Sequence, residues 1–203
     1  MPEDFNPFAE DTGGFERELI PEGPHAARCV RVIEIGKQYS QRYDNEANKA
    51  VIVLSIPNVK MEINGEEKQR FISNPFGITI SNNERATMRQ WARALCPDGG
   101  NSLGDFLNQP CQVVVRHQKK EDGSSFDRID SIAPILPGLE VGELDMEPFW
   151  LQWNSPDPEV LAQVPEFTRG LIKQATNYQG SLMEEAMEQV ERTTDGATED
   201  VPF

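Results

Sequence analysis

Apolar residues between positions 25 and 135 recur mostly at strand spacing, and this pattern most constrains the fold. The segment HAARCVRVIEIGKQYS interleaves valine and isoleucine with charged residues. That spacing predicts a long strand, and Gly36 within it predicts a bulge or sharp bend. PCQVVVRHQKK alternates cleanly, with Cys111 and Val113 on one face. KAVIVLSIPN is a short β-branched run that Pro57 closes, which predicts a buried strand.

Turn signals separate these strands. The polar stretch Gln41 to Asn48 predicts a loop after the first strand. Asn64-Gly65 is the strongest short signal for a β-hairpin, and it predicts flanking strands over Val59 to Ile63 and Lys68 to Ser73. The segment SFDRIDSIAPI predicts a last strand, which prolines end.

One stretch of this region has the period of a helix. Ser81 followed by Glu84 has the spacing of a capping box, which predicts the start of the helix. An apolar stripe follows it and ends before Pro97, with the members Met88, Trp91, Ala92 and Leu95. The segment LGDFLN predicts a short helical turn after it.

Five or six strands with a helix between the third and fourth principal strands are the element order of an OB-fold, a five-stranded Greek-key barrel. We therefore predict a mainly β protein. An acidic N-terminal arm covers residues 1–24, the barrel covers 25–136, and a C-terminal extension with short helices covers 137–192. Residues 193–203 are predicted to be a disordered acidic tail because they are small, polar and acidic.

The charge is distributed unevenly between these segments. The whole chain has a formal net charge of −15, which at face value argues against nucleic acid as a ligand. Residues 1–24 contain seven acids and one base, and residues 136–203 contain fourteen acids and three bases. The predicted barrel contains thirteen acids and fifteen bases and is therefore slightly cationic. This asymmetry indicates an anion-binding core between acidic flanks, although flanks that merely solubilise the protein are the alternative.

No catalytic motif is found in the sequence. It contains no GxxxxGK[ST], GxSxG, HExxH or CxxC pattern, and His25 and His117 are its only histidines. Its three cysteines match no common zinc spacing. We predict no enzymatic activity, no metal and no cofactor. Since the sequence has neither an apolar run of membrane-spanning length nor a signal-peptide pattern, the expected location is the cytoplasm, without membrane attachment.

Cations and aromatic residues alternate in the loops and hairpins of the predicted barrel, as a protein that binds single-stranded nucleic acid requires. Cations neutralise phosphates, and aromatic rings stack on unpaired bases. Packing in the core is the alternative role for each aromatic residue, most of all for Phe71 and Phe76. For Trp91, Trp150 and Trp153, packing is the favoured role. The candidate single-strand-contacting residues are Arg31, Lys37, Tyr39, Arg42, Tyr43, Lys68, Arg70, Phe71, Arg116, His117, Lys119, Lys120, Phe126 and Arg128.

The last five residues form the most specific motif of the chain. Two acids precede an apolar residue, a proline and a phenylalanine: Glu199, Asp200, Val201, Pro202 and Phe203. Such a peptide suits a basic-rimmed apolar pocket, because the ring fills the pocket while the acids steer the encounter. We therefore predict that these residues bind a partner protein.

This ending resembles the acidic tip of bacterial single-stranded DNA-binding proteins, and the core resembles OB-fold single-stranded DNA-binding proteins of bacteriophages. The core resemblance lies in PEGPHAARCVRVIEIGKQ, KAVIVLSIPN and LGDFLNQPCQVVVRHQKKEDGSSFDRIDSIAPI. It implies a protein of the host cytoplasm that binds and protects single-stranded DNA with little sequence preference during phage replication, recombination and repair. It also implies that the tip recruits a polymerase, helicase, nuclease or recombinase, and competes with DNA for the groove.

An OB-like adaptor that binds proteins but not DNA is the alternative function. The oligomeric state stays open, a homo-oligomer included.

Overall fold

The computed structural model describes residues 18–63 and 66–196, and these form a mainly β structure with few helices. The prediction of a mainly β chain is thus confirmed. The strands are β1 (Gly23–Ser40), β2 (Asn45–Ile63), β3 (Glu66–Ser73), β4 (Ile78–Thr79), β5 (Pro110–Lys119), β6 (Ser125–Pro134) and β7 (Phe149–Leu151). The helices are α1 (Thr87–Leu95), α2 (Pro158–Ala162), α3 (Glu166–Lys173) and α4 (Leu182–Gly196), and a single 3-10 turn covers Leu103–Phe106.

The seven strands form one sheet whose main path runs β3-β2-β1-β5-β6. All neighbours on this path are antiparallel, while β4 adds to β2 and β7 adds parallel to β1. The long strand β1 bends because its register with β2 shifts twice, between Cys29 and Arg31 and between Glu34 and Lys37. The second shift contains Gly36, where the bend was predicted; its φ is +73°.

The first hydrophobic core lies inside the curved sheet, under α1. The predicted alternation of β5 is confirmed, since Cys111, Val113 and Val115 are fully buried there. Trp91 and Leu95 of α1 and Phe106 of the 3-10 turn pack against the same core. Each of these side chains contributes roughly 1.5–3 kcal/mol through burial.

A second core lies on the outer face of β1 and β2, where the C-terminal extension covers the sheet. Ile33, Ile35 and Val51 pack there against β7 and the helices α2 to α4. Trp153 is buried in this core, while Trp150 packs from β7 onto the first core. Glu34 connects the two tryptophans, because its carboxylate accepts hydrogen bonds from Trp150 Nε1 at 3.0 Å and from the Trp153 backbone N–H at 3.1 Å.

Three local predictions were wrong. The loop expected over Gln41 to Asn48 is a four-residue turn, and β2 already begins at Asn45. Pro57 does not end a strand, since a register shift between Ile56 and Lys60 lets β2 continue past it. The helix α1 begins after Ala86 without a side-chain cap.

The spacing of Ser81 and Glu84 is therefore not a capping box. Ser81 Oγ instead accepts a hydrogen bond from the Asn83 N–H at 3.2 Å, and Glu84 pairs with Arg93. A capping box does occur, at the 3-10 turn, between Ser102 and Asp105.

The last helix, α4, packs one face against the second core. Its buried side chains include Met183, Ala186, Met187 and Val190, whereas Leu182 is exposed. The helix extends to Gly196, into the segment expected to be a disordered tail. Among the helices of the described residues, none has the length and apolar character needed to cross a membrane.

Candidate nucleic-acid interface

The hairpin between β1 and β2 presents aromatic rings to solvent. Tyr43 is 67% exposed, and Tyr39 is 52% exposed. The guanidinium of Arg42 lies over the Tyr43 ring, 5.4 Å from its centre. Tyr39 donates a 2.6 Å hydrogen bond from its hydroxyl to Asp44, and this bond raises the pKa of Tyr39.

Lys37 lies at the base of this hairpin, and its side chain is exposed. Its backbone N–H donates to Asn177 Oδ1 at 2.8 Å, and its carbonyl accepts from the Thr176 N–H at 2.9 Å. The C-terminal extension therefore holds this end of β1 in place, while the ammonium stays available for an anion.

The hairpin of β5 and β6 presents a second mixed surface. Arg116 is paired in register with Arg128, and Gln118 with Phe126, so these four side chains share the outer face. Arg116 pairs with Asp130 at 3.2 Å, and Arg128 donates to Gln118 at 3.3 Å. Both contacts lie on the exposed surface, where such pairs are weak.

Lys119 and Lys120 lie next to the turn of this hairpin and are exposed. Lys68 is also exposed, on β3, where its nearest anion is Glu66 at 3.5 Å. All three ammonium groups are thus open to solvent and could contact phosphates.

Arg70 and His117, two other candidates, are used for structure. The Arg70 side chain is only 2% exposed and pairs with Asp127 at 3.5 Å. His117 Nε2 lies 2.7 Å from the Ile20 carbonyl oxygen, and its backbone N–H donates to Glu22 at 2.9 Å. We therefore remove Arg70 from the candidate surface, and we assign His117 to holding the segment that precedes β1.

Arg31 and Phe71 meet on the outer face of β1, β2 and β3. The Arg31 guanidinium lies over the Phe71 ring at 5.8 Å and over the Phe149 ring at 5.3 Å. Burial lowers the pKa of Arg31. Phe71 is half-buried, so it is neither a core residue nor a free ring.

Residues 139–148, which we call the acidic strap, cross this face. Asn58 Nδ2 donates to the Glu140 carbonyl at 3.4 Å, and Gln69 Nε2 donates to the Glu143 carbonyl at 2.5 Å. Arg31 contacts Met146 Sδ at 3.9 Å. The strap therefore covers the part of the sheet where Arg31 and Phe71 meet.

Sequence reasoning missed an exposed aromatic pair. Phe76, predicted to be a core residue, is 63% exposed, and Phe167 of α3 is 56% exposed. Their rings meet edge to face at 5.9 Å. No local pattern could have revealed this pair, because its two members lie 91 positions apart in the sequence.

The candidate residues fall into three groups instead of one compact groove. β5 pairs Val115 with Gly23, at the start of β1, so the β5–β6 hairpin extends past that end. The β1–β2 hairpin lies at the other end, beyond Ser40. Arg31 and Phe71 lie between these two ends, under the acidic strap.

The predicted partner-binding residues, Glu199 to Phe203, lie outside the described residues, as does the Asn64-Gly65 turn. The strands on either side of that turn do form the predicted antiparallel hairpin, with Ile63 opposite Glu66. The three cysteines are free thiols, and burial raises the pKa of both Cys29 and Cys111, the latter to about 12.

A scan against models of protein families and a search of curated proteins both found no match to this chain.

Proposed function

We propose that this chain is a non-enzymatic OB-fold protein that binds and protects single-stranded DNA with little sequence preference, in phage DNA replication, recombination and repair. The observation that carries the proposal is the pair of hairpins on which exposed aromatic rings adjoin exposed cations. Tyr43 with Arg42 and Phe126 with Arg128 are the clearest examples. Rings of this kind stack on unpaired bases, and the cations neutralise phosphates.

The order of the sheet supports an OB barrel. The sheet path β3-β2-β1-β5-β6 contains five strands, and along the chain the helix α1 falls between the third and the fourth of them. In the described residues no ladder hydrogen bonds join β3 to β6, but the buried pair of Arg70 and Asp127 connects these two strands. OB barrels are partly open, and they bind oligonucleotides on the face of strands 2 and 3 and on adjoining loops.

Single-stranded DNA is expected to bind and to be released by salt. With about three phosphates neutralised, the affinity should fall roughly eighteenfold when the salt concentration rises about fourfold. Titrating the protein with oligo-dT while tryptophan fluorescence is recorded, at several salt concentrations, measures this fall in affinity. Arg128→Gln should flatten the salt dependence, while Arg192→Gln, on the exposed face of α4, serves as a matched control.

Duplex DNA of the same length should bind more weakly than the single strand, because its bases are already stacked on each other. An absence of oligo-dT binding at low salt would refute the proposal. It would favour an OB-like adaptor for proteins, for which the exposed Phe76–Phe167 pair offers an apolar contact.

We also propose that Glu199 to Phe203 recruit replication and recombination proteins in the host cytoplasm. Deleting residues 197–203 should strengthen oligo-dT binding at low salt, because acids that compete with DNA for the cations are removed. The same deletion should abolish binding of the partner. Unchanged or weaker DNA affinity in the truncated protein would contradict competition by this segment.

A further inference from the structure

Within the part of the chain that the structure describes, the guanidinium of Arg31 under the acidic strap has no anionic partner. Its contacts are two aromatic rings and the sulfur of Met146. Among the described residues, its buried Nε atom has no hydrogen-bond partner, and no carboxylate pairs with the side chain. A buried N–H of a guanidinium group is usually satisfied, often by a carboxylate or a phosphate, so the environment of this half-buried arginine is incomplete.

The strap itself does not supply that anion. Along residues 143–148, exposed acids alternate with half-buried apolar residues. The side chains of Glu143, Asp145 and Glu147 are exposed, while Leu144 and Met146 are half-buried, and Met146 contacts Arg31. The residue over Arg31 is thus a methionine, whose thioether is a weak acceptor.

The strap is held by few polar contacts. Two of them are hydrogen bonds from Asn58 and Gln69 to strap carbonyls. Gly142 packs closely on the Pro57–Asn58 corner of β2. The acids of the strap form no ion pairs within the described residues. DNA can therefore displace the strap without breaking an ion pair.

We propose that Arg31 and Phe71 form a central subsite for one phosphate and one base of single-stranded DNA, and that the acidic strap occludes this subsite until the strand displaces it. The inference rests on the proposed function. Along β1 the subsite lies between the two exposed hairpins. The phosphate supplies the anion that Arg31 lacks, since two of its oxygens can accept from the planar guanidinium, and Phe71 stacks on the base.

A disulfide across the strap tests the inference. A Cβ atom on Gly142 would lie 3.0 Å from Pro57 Cβ and 3.9 Å from Asn58 Cγ. A cysteine sulfur at position 58 takes about the place of that Cγ, so Asn58→Cys with Gly142→Cys brings two thiols close together. Cys96→Ser removes the half-buried native thiol. In the reduced form the strap keeps its hydrogen bond from Gln69 but loses the one from Asn58, so oligo-dT should bind at least as tightly as to the parent chain.

In the oxidised form the strap cannot lift, and the affinity for oligo-dT should fall about tenfold, as expected for the loss of one stacked base. Adding reductant should restore it. Equal affinities of the oxidised and reduced forms, with thermal melts that show both to be folded, would overturn the occlusion while leaving the proposed function intact. If the parent chain binds no oligo-dT, the proposed function fails, and this inference fails with it.

Arg31→Gln tests the subsite directly. If Arg31 contacts a phosphate, the plot of log affinity against log salt concentration should be less steep for this variant, by roughly the amount that one phosphate contact contributes. A purely structural Arg31 would change the melting temperature and leave the slope unchanged. Arg31→Lys keeps the charge and should keep the slope, even though its ammonium cannot form the same planar contact.

Discussion

Replacing Arg70 with methionine is expected to lower the free energy of unfolding by about 3–5 kcal/mol, the usual effect of removing one partner of a buried ion pair. The Asp127 side chain is only 6% exposed and would lose its cationic partner. Urea denaturation followed by circular dichroism measures the change.

The contacts around this pair explain the size of the effect. Arg70 also donates to the Glu18 carbonyl oxygen, and Asp127 accepts from the Ile20 N–H at 2.9 Å. The pair thus joins β3, β6 and the segment before β1, at the place where the sheet path has its two ends. Its loss would separate the two ends of the sheet and expose Ile20, which is fully buried.

The double variant Arg70→Met with Asp127→Leu is the matched control. Since no uncompensated charge remains in it, it should be markedly more stable than Arg70→Met alone. A single variant as stable as the parent, with a shallower salt dependence of DNA binding, would instead mean that Arg70 contacts phosphate.

Most strands could be predicted from the sequence because their signals are local. The alternation of Cys111, Val113 and Val115 identifies one face of β5 without knowledge of the rest of the chain. Gly36 marks the bend of β1 for the same reason. The errors occurred where a long-range contact overrides a local signal, as at Pro57, where pairing with β3 resumes beyond the register shift and carries β2 onward.

The candidate site was less predictable than the fold, because exposure depends on what other segments cover. Arg70 and Arg128 lie in similar strand sequences, yet the first is buried against Asp127 and the second is exposed. Similarly, nothing in the strap sequence indicates that it covers Arg31. In the sequence its acids are only part of an acidic flank. Asn58 and Gln69, which donate hydrogen bonds to the strap, are more than 70 positions away.

Replacing Gly36 with alanine is expected to destabilise the protein by about 2–5 kcal/mol. Two effects add. A φ of +73° costs a residue with a Cβ roughly 1–2 kcal/mol, and overpacking costs a further ~1–3 kcal/mol. The new Cβ would lie 2.5 Å from Trp153 Cζ3 and 2.8 Å from Ala175 Cβ. Thermal and urea denaturation measure the loss.

Gly180 separates the two effects. It has the same φ of +73°, but a Cβ there would have no atom within 4 Å, so Gly180→Ala should show the backbone effect alone. The Trp153 ring cannot easily withdraw, since the Glu34 carboxylate holds its backbone N–H and the ring is buried among the C-terminal helices. Gly36→Ala must therefore be the more damaging variant. In a chain that already carries Trp153→Leu, Gly36→Ala should lower the free energy of unfolding by less than it does in the parent chain. Equal losses at positions 36 and 180 would mean that the C-terminal extension does not pack on β1 through this contact.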